Sequence, residues 1–253
     1  VYPSVGFGIG MLVGLTGVGG GSLMTPLLVL LFGIHPSVAV GTDLLQVSLT
    51  KAVGSLVHGF HDTVDWRIVR TLAAGSIPAT VLTILLLSQV DLHNAAAQRV
   101  ISDVLGISLI CTAITLLLRN RLVRASAGWT TQLSPRRQAA MTVASGALVG
   151  FLVTMTSVGA GAIGTTVLIL LYPHIKIARL VGSDIAHAVP LTLLAGLGHW
   201  MLGSIDWGLL GSLLSGSVPG IIIGSVLSSR LPEFALRTIL AVTMAMAGSR
   251  MVI

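Results

Sequence analysis

The sequence predicts an all-α polytopic membrane protein built from two pseudo-symmetric repeats. Each repeat holds a glycine-broken helix, read as a re-entrant hairpin, plus three spanning helices, and the repeats are expected to be inverted. Three observations lead there. Of 253 residues, 54% are hydrophobic and 9% charged, with a mean hydropathy of +0.98. Soluble domains carry about 25% charged residues, so this chain cannot cover a globular surface with polar groups. Apolar stretches of roughly 20 residues recur along its whole length, which suits spanning helices and not barrel strands. Finally, the two halves of the chain repeat.

The segments run in order 4–33, 37–60, 66–89 and 98–119, then a polar loop over 120–137, then 138–172, 178–202, 207–229 and 233–252. Segments 4–33 and 138–172 are too long for one ordinary span, and each is interrupted. The first breaks at Thr16-Gly17-Val18-Gly19-Gly20-Gly21-Ser22 and the second at Thr156-Ser157-Val158-Gly159-Ala160-Gly161. A glycine inside a helix costs about 1 kcal/mol relative to alanine, so each segment reads as two half-helices around an unwound turn. The domain reading follows: 1–120 is the first repeat, 121–137 a cytoplasmic basic loop, and 138–253 the second repeat.

The repeat has a register. A constant shift of 141 places Val40-Gly41-Thr42-Asp43 on Val181-Gly182-Ser183-Asp184, and His58 on His199. The same shift places Val64-Asp65-Trp66 on Ile205-Asp206-Trp207, and Gly75-Ser76-Ile77-Pro78 on Gly216-Ser217-Val218-Pro219. The broken segments align with a shift one residue smaller. Chance likeness between apolar helices would match Leu to Leu, not Asp, His, Trp and Pro together.

Basic residues select the topology. If the broken segments cross fully, Arg67, Arg70, Arg119, Arg121, Arg124, Arg136, Arg137 and Arg250 share the side of the polar loop, eight against five on the other. If they are hairpins, Lys176, Arg179, Arg230 and Arg237 join that side and Arg250 leaves it, giving eleven against two. The positive-inside rule favours the hairpins. A hairpin plus three spans is an odd number of crossings, so the repeats invert, as in many secondary transporters. The net charge of +6 is this membrane signature and implies no nucleic-acid partner. The single Cys111 excludes an intrachain disulfide and reads as a small packing residue. No cleavable signal peptide is evident.

Lys51 lies inside the spanning segment 37–60. An ammonium near the bilayer midplane costs about 2.5–3.5 kcal/mol on insertion scales, so it persists where it faces a protein interior or a water-filled cavity. The functional reading is a positive group awaiting an anion; the bland one is a lysine paired to nearby Asp43. At about 100° per residue, Asp43, Thr50, Lys51, Gly54 and His58 fall on one stripe about 100° wide. Segment 178–202 repeats the design with Asp184, Thr192 and His199, and adds His187 one turn after Asp184. His58 and His199 read as helix-end histidines bonded to backbone carbonyls. Asp43 and Asp184 read equally as functional carboxylates or as N-terminal helix charges.

The broken turns add backbone donors. Half-helices starting near Ser22 and Ala162 would aim N–H groups and a positive dipole end into the membrane, a ready anion site. Thr16, Gly19, Gly20, Gly21, Ser22, Thr156, Ser157, Gly159 and Gly161 therefore join Lys51 and Thr50 as candidate substrate-binding residues. Asp43, Asp184 and His187 are candidate proton carriers for coupling. No cofactor or metal is expected: His58 and His61 lack the glutamate and third ligand of a zinc protease, and no nucleophile elbow or phosphate loop occurs. Four Trp, two Tyr and five Phe are too few for the chromophore pocket of a photoreceptor built on a buried lysine. A passive channel is the remaining rival to a transporter.

These residues resemble the TauE/SafE sulfite exporter family over nearly the whole chain. The likeness rests on the Gly17-to-Ser22 turn followed by Leu23-Met24-Thr25-Pro26-Leu27-Leu28. It rests also on Ala39-Val40-Gly41-Thr42-Asp43-Leu44-Leu45, on Ser48-Leu49-Thr50-Lys51, and on the two Asp-Trp loops. The resemblance implies a multi-pass permease of the bacterial inner membrane, not an enzyme, for a small anion such as sulfite, a sulfonate or another organosulfur acid.

Overall fold

The computed structural model describes residues 2–16, 21–58, 64–92, 94–130, 134–159, 161–227 and 233–252. These form helices only: α1 (Tyr2–Thr16), α2 (Gly21–Phe32), α3 (Pro36–His58), α4 (Trp66–Leu87), α5 (Ala95–Thr130), α6 (Pro135–Thr156), α7 (Ala162–Leu171), α8 (Ile177–Met201), α9 (Trp207–Leu227) and α10 (Glu233–Val252). Five described stretches are long and apolar enough to cross a membrane: Trp66–Leu87, Ala95–Arg119, Pro135–Thr156, Ile177–Met201 and Trp207–Gly224. The fold is all-α and polytopic.

The second long segment breaks where its glycines lie, and in the first α1 ends at Thr16 and α2 begins at Gly21. The second break is described in detail. Ser157 caps α6 in the left-handed region at φ 60, and Gly159 follows at φ 112, a conformation that residues with a Cβ rarely adopt. Polar contacts then join the start of α6 to the end of α7: Gln138 Nε2 donates to the Leu171 carbonyl, and Thr142 Oγ1 lies 2.9 Å from the Tyr172 hydroxyl. The chain returns to the end it left. In the first repeat the Tyr2 and Phe32 rings meet at 5.0 Å, joining the start of α1 to the end of α2 in the same way.

Close approaches give the helix directions. Gly41 lies against His199, Gly196 against Leu45, and Ser48 Oγ donates to the Val189 carbonyl at 3.2 Å, so α3 and α8 run antiparallel. Gly106 meets Met251 and Val252 while Gly248 meets Leu109 and Ile110, so α5 and α10 also run antiparallel. Each of these pairs joins counterpart helices of the two repeats. Ser48 and Val189 are themselves 141 apart, so their bond sits where the repeats meet their own images.

The repeats interlock. Gly6 and Gly10 of α1 rest on the backbone of Leu213 and Ser217 of α9, and Gly146 and Gly150 of α6 rest on Leu72 and Ser76 of α4. Both pairs are parallel. Any side chain at these glycines would strike main chain, the close approach that small residues permit between helices in lipid. Reciprocal hydrogen bonds complete the joint. The Asp65 N–H donates to Ser183 Oγ at 2.7 Å, and the Asp206 N–H donates to Thr42 Oγ1 at 3.1 Å. The Asp-Trp loop of each repeat thus docks on the Gly-Thr/Ser-Asp motif of the other.

Three sequence expectations change. The region read as a loop over 120–137 is helical to Thr130 and again from Pro135. Leu, Arg and Ala between 121 and 127 favour helix, and nothing there breaks it. Cys111 is exposed on α5 and does not pack inside. Asp43 and Asp184 lie beyond the first turns of α3 and α8, so neither is a charge at the helix start.

Candidate functional site

The site forms where α3 and α8 cross, with the half-helices α2 and α7 beside them. Asp43 of α3 is fully buried, and its Oδ2 accepts a 2.6 Å hydrogen bond from Thr25 of α2. The counterpart pair in the second repeat is the same: Asp184 Oδ2 accepts from Thr165 of α7 at 2.9 Å. Gly164 lets the Asp184 carboxylate lie against the first turn of α7, where a Cβ would collide with Oδ1. Each half-helix is therefore fastened to the long helix that follows it by a buried Thr–Asp bond.

Lys51 lies two turns beyond Asp43 and is 7% exposed. Its ammonium acts on both carboxylates, Asp184 of the opposite repeat as well as the expected Asp43 on its own helix. Lys51 also acts on His187, whose Nε2 lies 2.7 Å from Ser76 Oγ of α4. The mirror contact on the other side joins Thr50 Oγ1 to Ser217 Oγ of α9 at 3.3 Å. Gln46, the position equivalent to His187, donates from Nε2 to Thr50 Oγ1 at 3.3 Å.

The sequence-predicted residues divide. Lys51, Asp43, Asp184, His187 and Thr50 are all buried around this crossing. Ser157 is buried at the α6–α7 turn, within electrostatic reach of Asp43. Thr156 instead serves the turn: its hydroxyl donates to the Leu152 carbonyl at 2.6 Å and accepts the Val158 N–H at 3.1 Å. The Gly159 carbonyl accepts from the Gly161 and Gly164 N–H groups, and α7 starts at Gly161 without a side-chain cap. Thr16 ends α1 and Gly21 and Ser22 begin α2. Gly19, Gly20 and His61, and the side chains of Thr16, Ser22, Gly54 and His58, lie outside the described residues. His199 is structural, as expected, with Nε2 2.9 Å from the Thr154 carbonyl.

Sequence reading missed Thr25, Thr165, Ser76 and Ser217 as parts of the site. The signal was present: Thr25 and Thr165 match at the shift of the broken segments, and Ser76 and Ser217 at the main shift. A hydroxyl kept at matching apolar positions in both repeats points to a buried bond.

The profile of the family described as Sulfite exporter TauE/SafE matches residues 2–251, almost the whole chain. The chain belongs to this family. The TauE/SafE protein is 40% identical over 211 residues to the Probable membrane transporter protein YjnA of Bacillus subtilis (strain 168), covering 83% of this chain and 82% of that one. A Probable membrane transporter protein of Methanocaldococcus jannaschii is 25% identical over 207 residues, 80% of this chain and 72% of its own. A third, YunE of Bacillus subtilis, is 40% identical over 73 residues, 29% of this chain and 27% of its own. No solved structure matches the chain. This TauE/SafE member is a multi-pass membrane transporter.

Proposed function

We propose that this protein is a secondary permease of the bacterial inner membrane for a small anion, with sulfite, a sulfonate or another organosulfur acid as substrate. The observation that carries the reading is Lys51, a buried ammonium at the crossing of two antiparallel long helices. Such a charge is expensive in lipid and marks a pathway. The first turns of the half-helices α2 and α7 bond Asp43 and Asp184, the two carboxylates that act on Lys51, and in inverted-repeat transporters half-helix N-termini face anionic groups near the midplane. The two glycine turns, Thr16 to Ser22 and Ser157 to Gly161, are the candidate substrate-binding segments; in the second, the Ser157, Val158 and Gly161 N–H groups bond within the turn, so an anion there would have to displace them. Asp43, Asp184 and His187 are the coupling candidates, with protons as coupling ion.

Sidedness follows from the helix directions. The ends carrying Arg67, Arg70, Arg119, Arg121, Arg136, Arg137, Lys176 and Arg179 fall together, opposite Arg99 and Arg250. We read the basic side as cytoplasmic by the positive-inside rule, and the antiparallel pairs α3–α8 and α5–α10 support a two-fold axis in the membrane plane.

A thermal-shift screen of sulfite, sulfate, thiosulfate, sulfonates, carboxylates and phosphate tests the substrate class, because a ligand that binds only the folded state raises apparent stability by mass action. The expected result is stabilisation by sulfite or an organosulfur anion. Proteoliposomes then separate transporter from channel: a permease accumulates the anion uphill under an imposed proton gradient, and a passive pore only dissipates it. Stabilisation by none of these anions removes the reading.

A further inference from the structure

The two faces of α4 have different neighbours. Leu72, Gly75, Ser76 and Thr80 lie against α6. Arg67, Arg70, Ala74, Ile77, Val81 and Leu85 are all exposed. Their spacing of three and four residues sets them on one stripe, which in a spanning helix faces lipid. Trp66, also exposed, stands just before the two arginines. Exposed tryptophans gather at the headgroup level of a bilayer. That level puts Arg67 among the headgroups and Arg70 one turn deeper, where its long stem lets the guanidinium reach the same plane. We infer that Arg67 and Arg70 bind the phosphate of an anionic phospholipid whose chains lie along Ala74, Ile77, Val81 and Leu85. The inference does not depend on the permease reading.

The charge around the stripe favours such a partner. Ser76 meets His187 and Ile84 meets Gly198, so α8 runs parallel to α4, as α6 does. The starts of the three helices therefore share one end of the fold, and α6 and α8 bring Arg136, Arg137, Lys176 and Arg179 there, all exposed. Among the described residues, the one acid at these starts is Asp65, which caps α4 and pairs with Arg179. Cations at a helix start also oppose the helix dipole, so a nearby anion relieves both repulsions. Guanidinium groups suit that anion, since each grips two phosphate oxygens at once. The second repeat supplies the contrast. Trp207 is exposed in the place of Trp66, but Gly208 and Gly211 stand where Arg67 and Arg70 do, and Ser215 where Ala74 does. The matching stripe of α9 meets lipid without a charge. Orientation in the membrane asks only for positive charge, in loops as well as in helices. A headgroup site asks for guanidinium groups on the lipid-facing stripe itself, and α4 has two.

Native mass spectrometry of the protein purified in neutral detergent reads lipid binding directly. The wild type should hold dioleoyl phosphatidylglycerol on the order of tenfold more tightly than dioleoyl phosphatidylcholine. Arg67→Gln/Arg70→Gln should lose that preference, while Arg99→Gln, at the opposite end of the fold, should keep it. Arg67→Lys/Arg70→Lys keeps the charge that orients the chain but gives up the two-pronged phosphate contact. Its preference should fall severalfold, and it carries the test if the glutamine variant does not insert. Equal binding of the two lipids by the wild type, an unchanged preference in either double variant, or an equal loss in Arg99→Gln overturns the proposal. Inorganic phosphate that displaces phosphatidylglycerol at equal concentration would mark a site for a free anion and overturns it too.

Discussion

The two repeats agree in what holds them together and differ in what faces the centre. Thr25–Asp43 matches Thr165–Asp184, and the Asp65–Ser183 bond matches Asp206–Thr42. Ser76 and Ser217 both reach the crossing helices. Yet Lys51 stands where the second repeat has Thr192, and His187 stands where the first has Gln46. Symmetry in an inverted repeat is what the fold needs, since each half must dock on the other in the same way. A substrate site on the axis has no such need. Lys51 and His187, which break the symmetry, are therefore the residues proposed to set substrate binding, while the matched Thr–Asp pairs fasten the frame and hold the two carboxylates proposed for coupling.

The largest effect should come from breaking the frame at its closest approach. Gly150→Leu would drive a side chain into the backbone of Ser76, and Gly10→Leu into that of Ser217. Neither protein should assemble, and both should fail to yield a monodisperse peak on size-exclusion chromatography. Folded protein from both would undo the interlocked packing.

Next comes the charge. Asp184→Asn should remove one of the two carboxylates that act on Lys51. Removing one member of a buried pair is destabilising by about 3–5 kcal/mol. A melting temperature several degrees lower is expected for it and for Asp43→Asn. An unchanged melting temperature in both would remove this charge cluster from what holds the fold.

The helix caps test symmetry at smaller scale. Asp65 Oδ1 accepts the Arg67 and Ile68 N–H groups, and Asp206 Oδ1 accepts that of Leu209. Replacing either by Ala should cost about 1 kcal/mol. The two variants should melt alike; a large difference between them would show that the matched loops do not play matched parts. The smallest effect belongs to Arg179→Ser. Its ion pair with Asp65 is 3.6 Å long with Arg179 half exposed. Exposed pairs are worth about 0–1 kcal/mol, so melting should barely move.

Much of this was legible in the sequence because glycine runs, intramembrane charge and repeat register are local or one-dimensional signals. The breaks near Ser22 and Ser157, the polar stripe through Asp43, Thr50 and Lys51, and the carbonyl-bonded His199 could all be read from position. What escaped depends on partners far along the chain. That α1 would lie on α9, or that Thr42 would receive the Asp206 N–H, follows only from the three-dimensional joint between repeats. For the same reason Lys51 looked paired to Asp43 alone, its neighbour on one helix, when Asp184 acts on it too from the other. The end of α5 was misplaced because polarity was taken for loop, although Arg121, Leu122, Arg124, Ala125 and Ala127 are good helix formers.

The most direct test of the comparison is an anion-binding titration on Lys51→Met, run beside Asp65→Ala, with melting temperature measured on both. The substitution keeps length and removes the charge. A charge-assisted hydrogen bond is worth about 1.5–3 kcal/mol, so affinity for the anion found in the screen should fall roughly tenfold to a hundredfold. Asp65→Ala should lose stability and keep its affinity. An unchanged affinity in folded Lys51→Met protein, or an affinity lost equally in Asp65→Ala, would contradict the assignment of function to the residues that break the symmetry.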